Sequence, residues 1–183
     1  MFRIRHLTNQ ELTWKGSIYT ILLWEFASAI TPSVVGGTTI AVFILSKEGI
    51  KFGKALAYVM LTAILDNAFF ILAAPIVLLS SINIFPQDSS ILFGFPLSIE
   101  TLFYISYTLI LSYTFFMAYG LLLKPRAFKW ILIKTTRVSF LKKWHKNALE
   151  YGEQVILAST ELKNKPFSYW LKAILSTTFV WSA

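Results

Sequence analysis

Apolar residues in this chain run in long blocks, and the charged residues collect between the blocks. A bilayer core of roughly 30 Å needs about 20 apolar residues in a helix. Residues 55–79 carry a single ionisable group, Asp66, and residues 102–123 carry none and stop at Lys124. Both are predicted transmembrane helices. Residues 166–183 open a third apolar stretch that the chain leaves unfinished, so the sequence reads as an internal portion of a longer protein whose other spans lie outside it.

The connecting segments set an orientation. Residues 80–98 contain no Lys or Arg, whereas residues 124–146 contain eight. Excess Lys and Arg marks the cytoplasmic side of a membrane. The segment 124–165 is therefore expected inside and the 80–98 loop outside, with Lys47, Lys51 and Lys54 inside as well.

Residues 16–46 do not fit a simple crossing, because Arg3, Arg5 and Lys15 precede them and Lys47, Lys51 and Lys54 follow. As one helix they would measure about 46 Å, well beyond the hydrocarbon core. In the middle stands Thr31-Pro32-Ser33-Val34-Val35-Gly36-Gly37, where Pro32 lacks a donor and the glycines favour a turn. Two readings stay open: a re-entrant pair of half-helices entering and leaving on the cytoplasmic side, or one long helix kinked at Pro32. Irregular backbone at that depth is tolerated only where it is buried in protein or lines a wet cavity. The re-entrant reading thus predicts a cavity near the midplane.

After Lys124 the pattern changes. Trp130, Ile133, Phe140 and Trp144 interleave with Lys129, Lys134, Arg137, Lys142 and Lys143, which suits a helix lying on anionic headgroups and equally a cytoplasmic helical hairpin with no lipid role beyond topology. Ala148, Tyr151, Val155, Ala158 and Leu162 then recur at helical spacing, which predicts an amphipathic helix packed on the first. The expected fold is all-α: a polytopic integral membrane protein with a re-entrant helix pair and a cytoplasmic amphipathic helical hairpin.

Composition sharpens this picture. Hydrophobic residues make up 56% and charged residues 14%, against about 25% charged in a soluble domain. The net charge of +8 would suit nucleic acid, but no recognition module is legible and the long uncharged runs point to membrane lipids instead. Cysteine is absent, and the two histidines, His6 and His145, lie in separate polar stretches, so no metal site or cofactor is expected.

Two acids sit inside the apolar blocks, Glu25 and Asp66. A carboxylate at that depth is costly and usually faces a cavity or a partner. Ser28 and Thr31 follow Glu25 at intervals of three, which is expected to line them along one helical face with Trp24 nearby; Asn67 adjoins Asp66, and Thr62 lies one turn before it on a similar face. Thr31 is a candidate N-cap with Pro32 at the first helical position. The backbone N–H groups of that helix end would suit an anion such as a lipid phosphate. Gly36, Gly37 and Thr38 would allow close backbone approach there, or would serve only to pack helices tightly. The candidate headgroup-binding set is Glu25, Ser28, Thr31, Pro32, Ser33, Gly36, Gly37, Thr38, Asp66 and Asn67. No nucleophile, phosphate loop or metal-ligand spacing accompanies the acids, which speaks against an enzyme.

The runs WEFASAITPSVVGG (24–37), FILSKEG (43–49) and LTAILDN (61–67) resemble the flippase-like transmembrane family related to the membrane region of lysylphosphatidylglycerol synthase, in its short form without the aminoacyl-transferase domain. The resemblance implies a multi-pass protein of the bacterial cytoplasmic membrane that moves lipids across the bilayer. Pro32 and Gly36 match the family's break, and Asp66 matches its acid in the following span. The Gly-Glu pair common after the break stands here as Gly36 and Gly37, and no Arg shortly precedes Asp66. Alternatives of other kinds are a membrane enzyme of lipid or glycan modification, using Glu25 and Asp66 as acid and base, and an accessory subunit without transport.

Overall fold

A computed structural model describes residues 1–31, 34–79, 90–92, 95–97, 99–136 and 145–182. The described residues are helical apart from one short antiparallel strand pair. The helices in chain order are α1 (Phe2–Leu7), α2 (Trp14–Ile30), α3 (Val34–Lys47), α4 (Phe52–Leu79), α5 (Ile99–Ala118), α6 (Pro125–Thr136), α7 (His145–Lys163) and α8 (Phe167–Ser182), with a π-helical turn at Tyr119–Leu123 extending α5. The strands β1 (Ser90–Leu92) and β2 (Phe95–Leu97) pair with Ile91 opposite Pro96. They fall in the loop expected between the two spans, and the rest of the described fold is helical, as the all-α expectation has it.

Local chemistry explains where α2 and α3 begin and end. The Thr13 hydroxyl caps α2 by accepting the Gly16 N–H at 3.0 Å. At the other end Thr31 is held extended (φ −86°, ψ 124°), as expected for a residue before proline. Gly49, at φ 97°, ends α3, with the Ile50 N–H returning to the Leu45 carbonyl at 3.2 Å, a glycine-terminated helix end.

α2 and α3 fold back on one another as an antiparallel hairpin. A Cβ on Gly37 would lie 3.3 Å from the Ser28 Cα near the tip, and one on Gly16 would meet the Glu48 side chain at the base. The continuous kinked helix is therefore not what the chain forms. Its 14 residues give α3 a length of about 21 Å, half the roughly 42 Å of α4. α3 runs beside the first half of α4, where Thr38 and Val42 share a pocket with Val59 and Ala63.

Packing is concentrated at one end of the molecule. The α4 residues from Gly53 to Ile64 are largely buried, and Leu12, Leu45, Leu121, Val155 and Leu162 close around them. Ala148, Val155, Ala158 and Leu162 of α7 point inward, and Tyr151 stacks on Phe52 at 4.4 Å. Beyond Ile64 the enclosure opens. Leu72 is 68% exposed and Phe115 69%, and Thr114 is the one buried residue described in α5. Among the described residues, two helical segments, Phe52–Leu79 and Ile99–Leu123, are long and apolar enough to cross a membrane.

The outer half of α4 carries one internal repair. Pro75 removes the N–H that would serve the Ile71 carbonyl, and the Tyr107 hydroxyl of α5 donates to that oxygen instead at 2.9 Å.

Candidate functional site

Four helices meet around a cavity of about 430 Å³ beside the middle of α4. Arg3 reaches it from α1, Trp24 and Glu25 from α2, Thr62 and Asp66 from α4, and Trp181 from α8. Sequence explains the convergence. Arg3 stands on α1, which the turn at Asn9 and Gln10 (φ 55° and 64°) folds back against α4 and α8. Asp66 follows Thr62 by one turn of α4, so both side chains share a face. Trp181 lies near the end of α8, whose start is fixed by the Tyr169 hydroxyl donating to the Leu7 carbonyl at 2.9 Å.

Asp66 is a junction. The Arg3 guanidinium grips both its oxygens, Nη1 on Oδ1 in a close ion pair and Nη2 on Oδ2 at 3.2 Å, while the Trp181 indole N–H donates to Oδ1 at 2.8 Å. The Arg3 and Asp66 side chains are 18% and 21% exposed, so the pair is mostly shielded from water. The Trp181 ring also meets Phe70 edge-on at 4.6 Å. Glu25, by contrast, is exposed on the facing wall and has no hydrogen-bond or ion-pair partner among the described residues. The Thr62 hydroxyl is spent on the Tyr58 carbonyl at 3.0 Å. The Met1 amine lines the same space, its pKa lowered by burial and then by the charge of Arg3.

Of the residues singled out from sequence, the structure brings Trp24, Glu25, Thr62 and Asp66 together and distributes the others. Ser28 faces Gly37 in the α2–α3 seam, because successive steps of three residues turn about 60° around a helix of 3.6 residues per turn and carry the side chains off one face. Gly37 is buried there, its missing Cβ occupied by Ser28, which is a packing role. Thr31 closes α2 rather than opening α3: its N–H and hydroxyl both turn back to the Ala27 carbonyl, at 3.0 and 2.6 Å, and α3 starts at Val34, two residues too late for Thr31 to cap it. Thr31 lines an apolar pocket with Phe26 and Phe43, and Thr38 a different one with Tyr113. Asn67 is half-buried beside Asp66 and outside the cavity lining. Gly36 belongs to α3; Pro32 and Ser33 lie outside the described residues.

Arg3 and Trp181 are the site residues that sequence reading missed. Arg3 counted there as a flanking topological charge, and a partner 63 positions away leaves no local pattern. Arg5 is likewise used internally, its Nε donating to the Leu12 carbonyl at 3.2 Å and its guanidinium lying 4.6 Å from the Trp14 ring. Two of the three basic residues that precede residue 16 are thus engaged within the fold. Trp181 offered no signal beyond its indole N–H, which needs a partner when withdrawn from water.

Among the described residues there is no group of three His, Cys, Asp or Glu side chains able to hold a metal ion. No protein-family model matches the chain, and no curated protein or solved structure matches it.

Proposed function

We propose that this chain is an integral membrane protein of the flippase-like kind, which admits a lipid headgroup to the cavity between Glu25 and the Arg3–Asp66 pair and moves it across the bilayer. The observation that carries this reading is the placement of those three charges in one cavity at mid-height on α4, about 20 Å from either end of a helix long enough to span. Ionisable groups at such a depth belong with a cavity, a partner or a transported group. The half-length α2–α3 hairpin supports a re-entrant arrangement, its tip near the level of Asp66 and its base beside the start of α4.

The exposed apolar faces of α4 and α5 support lipid surroundings, since soluble monomers rarely expose contiguous apolar patches above a few hundred Å². The expected setting is the bacterial cytoplasmic membrane with α6 and α7 inside. There, exposed Trp130 and Lys134 of α6 would lie against anionic headgroups. The α3 helix end drops out of the site, because Thr31 closes α2 instead of capping α3.

The test is movement of fluorescent lipids between leaflets of vesicles holding the full-length protein. Glu25→Gln combined with Asp66→Asn should reduce the rate to that of protein-free vesicles; an unchanged rate would refute the reading. A covalently altered lipid in the same assay would instead favour the enzyme.

A further inference from the structure

The acids of the cavity are unequally committed. Asp66 has its charge matched by Arg3 and three N–H donors on its two oxygens. Glu25 faces the same space with its charge unmatched among the described residues. Two indoles, Trp24 and Trp181, supply faces that attract cations, while Ile21 and Val180 complete an apolar wall. A neutral sugar would need several unspent polar side chains, and Thr62 is already bonded to the backbone. One free carboxylate among aromatic and aliphatic side chains suits an ammonium group with alkyl substituents. α4 and α8 also line an apolar groove of about 320 Å³, formed by Leu65, Phe69, Leu72 and Ile174 and beginning one residue from Asp66. Such a groove fits a hydrocarbon chain.

We propose that Glu25 is the ligand-contacting acid and takes the ammonium group of a cationic amphiphile, while Asp66 is a positioning residue that occupies Arg3 and holds Trp181 against the cavity. The inference rests on reading the cavity as a headgroup site and narrows that headgroup to one bearing a positive charge. It also assigns Asp66 a second effect: by occupying Arg3 it withholds the guanidinium from anions.

The experiment uses the full chain in uncharged digalactosyl-diacylglycerol vesicles, titrated below micelle-forming concentrations with dodecyltrimethylammonium, dodecyl sulfate and dodecyl maltoside, and read by tryptophan fluorescence. The wild type should bind the ammonium saturably and the other two only by partition. Glu25→Gln, an isosteric change at an exposed and unpartnered side chain, should weaken ammonium binding by about tenfold, with Glu25→Asp recovering part of it. Asp66→Asn should retain ammonium binding and gain saturable dodecyl sulfate binding as Arg3 is released, a gain that simple loss of structure would not produce. Equal binding of all three probes by the wild type, or ammonium binding indifferent to Glu25→Gln, would overturn the proposal. Lipid movement scored in the same vesicles separates the two ideas. Ammonium binding through Glu25 without lipid movement refutes transport and leaves this inference standing; acid-dependent lipid movement without ammonium preference does the reverse.

Discussion

Tyr107→Phe isolates one hydrogen bond while keeping the ring that stacks on Phe103 at 6.1 Å. The bond it removes is the 2.9 Å contact to the Ile71 carbonyl, the acceptor that Pro75 leaves without its helical donor. The surrounding groove, lined by Phe70, Val77, Phe103 and Ile110, offers that oxygen almost no polar substitute. A carbonyl so stranded costs about 1–3 kcal/mol, and hydrogen bonds measured between membrane helices average nearer 0.6 kcal/mol, so a loss of about 1 kcal/mol is expected. Equilibrium unfolding in mixed micelles, followed by helical circular dichroism, reads this as a shift in midpoint at constant slope. The decisive arm is Pro75→Ala, which restores an N–H to the Ile71 carbonyl. In that background Tyr107→Phe should cost only a few tenths of a kcal/mol, leaving most of the effect as coupling between the two positions. An equal cost in both backgrounds would show that the hydroxyl acts elsewhere and that α4 does not depend on α5 to heal its proline.

Three further outcomes follow from packing and charge. Gly37→Ala places a methyl against Ser28 at less than ordinary contact distance and should destabilise the hairpin by about 1–3 kcal/mol, with Ser28→Gly in the same chain recovering part of it; unfolding midpoints decide. Gly53→Ala should be worse than Gly152→Ala in the same assay, because the added methyl meets the Tyr151 backbone carbonyl in the first case and the flexible Lys129 stem in the second. Arg3→Met alone should cost about 3–5 kcal/mol by stranding a shielded carboxylate, whereas Arg3→Met with Asp66→Leu should lie much closer to wild type in unfolding free energy; equal losses would mean the pair is effectively solvated.

The parts of this fold legible in sequence are those written in local pattern. Long apolar runs marked α4 and the α5 extension to within three residues at their starts, and the period of Ala148, Val155, Ala158 and Leu162 marked the buried face of α7. Pro32 marked the break, and Thr31 before it shows why the chain turns there. What could not be read was tertiary. Arg3 and Trp181 converge on Asp66 from distant helices, and only the three-dimensional path of the backbone puts them there. Glu25, Ser28 and Thr31 looked like one face at their spacing of three; helical drift divides them among the cavity, the hairpin seam and an apolar surface.

The lopsided enclosure of α4 also fixes the order in which the molecule should come apart. Amide protons from Gly53 to Ile64 sit inside a collar of neighbouring helices and should exchange with solvent deuterium last, while those past Phe70 depend on whatever medium bathes them. Stripping that medium away would fray one end of the helix and leave the other intact.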